Sequence, residues 1–271
     1  MPDLIPAFDW QRVVVDPWTV HMPGTLWMVL MALVLVVPCA LLGNYLLLRR
    51  MALVGDAISH SVLPGLVLAF LVFRDLGAEY MLAGAMAAGL VTTLLIEFIT
   101  ARSRLKSDAA TGITYTTLFA LGIYMVNTWT GRVHIDADCV LFGELEYVPL
   151  AAPSALTLGA AGAVPLPILI SAGIAALIAI YVAVFYKELA LTSFDPGLAR
   201  TTGVRTGLVH YSLMAMLSFV VVTALESVGI LVVALLVLPG STAQFFTRRL
   251  GKLHVLAVLF SILSVLLGFH L

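Results

Sequence analysis

Long apolar runs decide what this chain can become, because they leave it one kind of solvent. Near 26–48, 55–73, 80–101, 112–130, 166–186, 208–226, 229–247 and 254–271 the sequence offers stretches of roughly 17–25 residues, the length a helix needs to cross a hydrocarbon core about 30 Å thick. With 62% hydrophobic and 11% charged residues, too few polar side chains exist to cover a water-facing surface. The strict alternation of outer-membrane strands is absent. The expected fold class is therefore all-α, a polytopic membrane helical bundle of about eight transmembrane helices. Its second span is the most interrupted.

Basic residues orient the bundle, since cytoplasmic loops collect Lys and Arg. With the N-terminus outside, the cytoplasmic side receives Arg49, Arg50, Arg102, Arg104, Lys106, Lys187, Arg200, Arg205, Arg248, Arg249 and Lys252, eleven of the fourteen. Arg12, Arg74 and Arg132 fall outside. Reversal would invert that bias, so an outside N-terminus is expected, and with eight spans the chain also ends outside.

The start, MPDLIPAFDWQ, has acids ahead of its apolar stretch and neither a basic n-region nor a small-residue cleavage site, so no removable signal is expected. Residues 8–22 read as an interfacial segment, with Trp10, Trp18 and Trp27 placed for the headgroup level. Cys39 and Cys139 stand 100 residues apart and offer neither a redox pair nor a thiolate cage.

No soluble domain interrupts the spans, and residues 1–271 read as one transmembrane domain. Two connections are too long for turns. The external one, 131–165, carries RVHIDADCVLFGELEY and a Pro/Ala/Gly-rich stretch, enough for short surface or re-entrant helices. The cytoplasmic one, 187–207, contains Asp195–Pro196, a helix start with Asp as N-cap and Pro at the first position. Gly203 is placed to stop that short helix.

Phosphate loops, G-x-S-x-G elbows and H-E-x-x-H motifs are all missing from the sequence, so the chain carries no signature of nucleotide hydrolysis or metal-dependent proteolysis. Its chemistry concentrates in MALVGDAISHSVLPGL, Met51–Leu66, where Asp56 and His60 interrupt a spanning run. An ionisable group inside a bilayer is costly unless paired, hydrated or bound to something. Four residues apart on a helix, the two share a face. A carboxylate oxygen and an imidazole nitrogen suit a borderline divalent cation such as Zn, Mn or Fe(II). Six and ten residues beyond Arg50, they lie roughly 9–15 Å deep at helical rise. Gly55 before the pair and Pro64–Gly65 after it suggest the helical discontinuities at which transporters bind ions. The bland alternative makes Asp56 an N-cap and His60 a hydrogen-bonded core histidine. Glu226, between the sixth and seventh spans, is a further candidate gate or ligand, or simply faces external water. Glu97 and Asn44, each five residues from an arginine, read as packing groups that snorkel toward the cytoplasm. His134, Asp136 and Asp138, with Glu144, form an external cluster suited to attracting cations ahead of the membrane path.

The stretch LRRMALVGDAISHSVLPGLVLAF (Leu48–Phe70), together with HIDADCVLFGEL, YKELALTSF and ILVVALLVLPGSTA, resembles the permease subunits of ABC importers for manganese, zinc and iron. The resemblance covers nearly the whole length. It implies a bacterial plasma-membrane permease paired with a second permease copy, as a homodimer or a related pair. A cytoplasmic ABC ATPase dimer would drive it and bind the ATP, and an external metal-binding protein would feed it. It implies no permanently bound cofactor, only the transported Mn, Zn or Fe ion, and no nucleic-acid partner. The family's D-A-x-S-H motif falls on Asp56 and His60. The family's coupling helix falls on Phe194, Asp195, Ala199 and Gly203. The family usually carries a neutral polar residue where Glu226 stands, so no ligand role is carried onto it. The family also usually continues past a segment like Leu259–Phe269 into a further apolar stretch. Two other classes stay open: a permease for a metal chelate, and a proton-coupled secondary cation transporter.

Overall fold

The structure is a computed structural model that describes residues 10–20, 22–75, 77–129, 143, 145–151, 153–157 and 163–270. A π-helical turn, Gln11–Val15, leads into the short helix α1 (Asp16–Thr19). The first crossing is α2 (Met22–Leu48), about 40 Å long at 1.5 Å per residue. Next come α3 (Leu53–Ser61) and α4 (Leu63–Phe73), which share one crossing, then α5 (Ala78–Arg102) and α6 (Ser107–Trp129). On the far side of the external connection, α7 (Leu166–Val184) re-enters, followed by α8 (Tyr186–Phe194) and α9 (Pro196–Thr201). The chain ends with α10 (Thr206–Val228), α11 (Val232–Phe246) and α12 (Leu250–Gly268).

Seven of these crossings are long and apolar enough to span a membrane, and α11 is a shorter apolar helix. A 3₁₀ turn at Gly229–Leu231 precedes α11 and lengthens it into the eighth crossing that the hydropathy pattern predicts. The two ends agree with that even count. Trp18 Nε1 donates to His270 Nε2 at 3.3 Å, and the Trp18 ring meets Phe269 edge-on at 6.2 Å, so the beginning and end of the bundle lie on one face.

Trp27 is 4% exposed and packs inside the bundle. In the external connection the described residues hold one short 3₁₀ helix, Leu145–Leu150, and an antiparallel ribbon of β1 (Pro153–Thr157) and β2 (Ala163–Pro165), which the sequence pattern did not announce. Pro153 and Pro165 pair at its end, and proline, with no N–H and a fixed φ, is tolerated at such strand ends but interrupts helices.

The packing has two halves. Helix α2 runs against α7, α11 and α12, whereas α3 to α6 pack on one another, and α10 lies between, touching α2, α3, α5 and α7. Leu42, Leu46, Ile58, Leu213, Leu217 and Leu236 are fully buried along these contacts. Lipid tails are as apolar as leucine, so helices gain little from burial alone and associate through close van der Waals contact at small residues. Gly43 sits against the backbone carbonyl of Leu236, while Gly65 and Gly84 each face the other's carbonyl. A methyl group at Gly43 or Gly65 would therefore meet backbone, which cannot rotate aside.

Gly43→Ala and Gly65→Ala are each expected to destabilise the protein by about 1–3 kcal/mol, read as a lower midpoint of thermal unfolding in detergent. Gly173→Ala, where the added carbon meets open space, is expected to leave the midpoint unchanged.

Candidate functional site

The turn that delivers the candidate pair is built by the end of α2. The Arg50 N–H bonds to the Leu47 carbonyl at 3.1 Å and the Met51 N–H to the Leu46 carbonyl at 2.9 Å, a Schellman arrangement that satisfies the last free carbonyls of the helix. Its left-handed position, usually glycine, is Arg50 at φ 58°, a conformation that costs a side-chain-bearing residue about 1–2 kcal/mol. Helix α3 then starts at Leu53 with Ala52 at its N-cap and no side-chain cap. Asp56 is thus not an N-cap, and that alternative falls.

Val54, Ala57 and Ile58 bury the inner face of α3. Asp56 and His60 occupy another face, their side chains 37% and 29% exposed, with His60 Nε2 3.4 Å from Asp56 Oδ1. The two side chains make no hydrogen bond to each other, so the pair is loosely held and its lone pairs stay open to a cation. Two rings of α6 flank the imidazole, Tyr115 at 5.8 Å and Phe119 at 5.9 Å. Pro64 has no N–H to return to the His60 carbonyl, and the helix breaks at Val62 before α4 begins. The discontinuity expected beyond His60 is therefore present. Among the described residues no third His, Cys, Asp or Glu joins the pair.

Glu226 lies near the C-terminal end of α10, and its side chain is outside the described residues. His134, Asp136, Asp138, Cys139 and Glu144 also lie outside them. Asn44 does not snorkel: it is fully buried in α2, and its amide makes no hydrogen bond.

The short cytoplasmic helix forms as its sequence predicts. Asp195 Oδ1 accepts the Leu198 N–H at 2.9 Å, Pro196 opens α9, and Gly203 takes φ 86°. The Gly203 N–H bonds to the Arg200 carbonyl at 3.2 Å and the Val204 N–H to the Ala199 carbonyl at 3.0 Å, a second Schellman motif. Ala199 is wholly buried, whereas Phe194 and Leu198 are 61% and 50% exposed. The end of α8 and the six-residue α9, fixed at both its ends, thus turn an apolar pair outward.

A polar cluster at the cytoplasmic ends of the helices escapes sequence reasoning. Arg49 donates from Nη2 to Thr192 Oγ1 at 2.8 Å and from Nε to Ser193 Oγ at 2.9 Å. Arg49 Nη1 also lies 3.4 Å from His210 Nδ1. A guanidinium only donates, so Nδ1 accepts and the imidazole proton sits on Nε2, which donates to Glu97 Oε2 at 3.0 Å. Burial is the largest influence on Arg49 and lowers its pKa from the ordinary value, yet a guanidinium begins so high that it stays protonated. These residues come from α5, α8, α10 and the end of α2, and no local spacing announces them.

Comparison with known proteins places this architecture. The ABC 3 transport family matches residues 22–271. The manganese transport system membrane protein MntD of Bacillus subtilis is 37% identical over 244 residues, which cover 90% of this chain and 81% of that protein. The zinc transport system membrane protein TroD of Treponema pallidum is 37% identical over 248 residues, 91% of this chain and 66% of that one. Among solved structures, PsaBC from Streptococcus pneumoniae, in complex with Fab, has a TM-score of 0.75 at 32% identity and covers 96% of this chain and 86% of its own. With its apolar crossings, its family match and these relatives together, the chain is a multi-pass protein of the bacterial plasma membrane and belongs to the ABC 3 transport family.

Proposed function

We propose that this chain is the membrane-spanning permease of an ATP-driven importer for divalent transition-metal ions (Mn, Zn or Fe), acting over residues 1–271 as one transmembrane domain. The observation that carries the reading is the Asp56–His60 pair, set on one face of a helix inside a spanning segment and loosely held at 3.4 Å. One oxygen and one nitrogen are a partial shell for an ion that takes four ligands as zinc does. Incomplete coordination suits a path, where an ion must leave as readily as it arrives. The part-exposed face of the pair leaves room for water and for a second copy of the chain to complete the shell.

Pairing the carboxylate with imidazole gives a +2 ion one full and one partial negative charge, enough to replace some hydration without trapping it. The rings of Tyr115 and Phe119 close one side of the pair with apolar surface, which strengthens its electrostatic attraction for the cation. On the cytoplasmic side, the patch of Phe194 and Leu198 docks on an ATPase dimer, with Asp195, Ala199 and Gly203 holding the helix that presents it. On the outside, the connection with His134, Asp136 and Asp138 receives the ion from an external metal-binding protein. Glu226 is assigned at most a gating part near the outer end of α10. The ATP is bound by the partner subunits.

Vesicles containing the assembled transporter are expected to take up radiolabelled manganese or zinc only with internal-face ATP, and Asp56→Asn combined with His60→Ala is expected to lower uptake at least tenfold with the assembly intact. Undiminished uptake by the double variant would sink the assignment of the path. Leu198→Asp is expected to reduce recovery of the ATPase with the permease about tenfold. Asp195→Ala, which deletes a cap worth about 1 kcal/mol, is expected to reduce it less.

A further inference from the structure

We propose that Arg49 is a positioning residue that transmits movement of the ATPase-docking segment to the helix carrying Asp56 and His60, with His210 and Glu97 as its anchor. The inference rests on the transport reading above. Its basis is where Arg49 stands in the chain and what it holds. In sequence it belongs to the turn between α2 and α3, and its N–H bonds back to the Tyr45 carbonyl at 3.0 Å. Asp56 follows seven residues later. In space its guanidinium holds Thr192 and Ser193, the last residues of α8 before Phe194 and the α9 cap. The side chain therefore joins the base of the pair-bearing helix to the root of the docking helix across 143 and 144 positions of sequence.

Its third and longest contact, at 3.4 Å, reaches the bundle. His210 accepts from Arg49 and donates to Glu97, so the guanidinium is tied through one imidazole to both α10 and α5. Thr192 and Ser193 are themselves held by their own helix, through Oγ1 to the Glu188 carbonyl at 2.7 Å and Oγ to the Leu189 carbonyl at 2.6 Å. They are thus rigid handles on α8 and not loose side chains. Glu97 and His210 could be mistaken for a second cation site, since they too offer one oxygen and one nitrogen. The Arg49 charge 3.4 Å from His210 opposes a second cation there, and among the described residues no third His, Cys, Asp or Glu joins them.

A guanidinium fork suits this work because it donates in several fixed directions at once, whereas an ammonium is a single mobile point. The helix it drives begins just beyond the strained Arg50, so a pull on Arg49 acts on a turn that already stores backbone energy.

The test uses the assembled transporter in vesicles and reads metal ions taken up per ATP hydrolysed. Arg49→Ala is expected to lower that ratio at least fivefold, and Arg49→Lys to fall between it and wild type. Thr192→Val with Ser193→Ala, which keeps Arg49 but removes its handles, is expected to lower the ratio similarly and decides the matter if Arg49→Ala does not assemble. A purely structural role would reduce the amount of working transporter and leave the ratio unchanged. An unchanged ratio in the Thr192/Ser193 variant, with wild type transporting, would overturn this inference alone. Absence of metal uptake by wild type would overturn the transport reading and this inference with it.

Discussion

Hydrocarbon supplies no hydrogen bonds, and that single deficit governs this structure. Each backbone group inside the bilayer must find its partner within the protein, which is why the described crossings are helical and why polar side chains bond locally. Thr92, Thr111 and Thr114 each return their hydroxyl to the carbonyl four residues back. Ser61 does the same three residues back while meeting Thr92 at 2.6 Å. Against that background the break at Val62 and Pro64 stands out, because Pro64 has no N–H to offer the His60 carbonyl, although Val62 keeps helical angles. The cost of an unsatisfied group keeps such breaks rare, and this one adjoins the two ionisable side chains of the same crossing.

Charge follows the same economy. Asp56 and His60 lie close enough to lower each other's cost and far enough apart to accept something between them. Glu97, His210 and Arg49 solve the problem differently, as a closed chain of donors and acceptors at the membrane edge. One cluster is open and the other is satisfied. That difference in bonding, more than residue type, separates the two clusters, since both contain an acid and a histidine.

Much of this was legible in the residues. Apolar runs gave the number of crossings because helix length and bilayer thickness are both fixed, and the Asp195–Pro196 start with Gly203 gave α9 because caps depend on immediate neighbours. That Asp56 and His60 share one helix face was legible because an i,i+4 pair is a local statement. What was not legible depends on distant contact. Trp27 has the composition of an interfacial residue, yet its neighbours bury it. Asn44 was expected to reach for water and is sealed in by helix packing. The Arg49 cluster unites residues separated by more than a hundred positions, and a lone arginine beside Arg50 reads simply as a topological charge. The external ribbon was missed because short Pro-bounded segments carry too little periodicity to distinguish strand from turn.

The glycine contacts also partition the mechanics of the bundle. Where Gly43 meets the Leu236 carbonyl, and where Gly65 and Gly84 meet each other's, backbone touches backbone and leaves no soft layer to shear. Helices α2 and α11 thus form one close-packed slab and α4 and α5 another, while α10 touches both α2 and α5. Arg49 is rooted in the first slab and Asp56 rides beside the second, with the strained turn at Arg50 between them. The helix carrying Asp56 and His60 thus leaves the first slab through the left-handed turn at Arg50 and packs against the second.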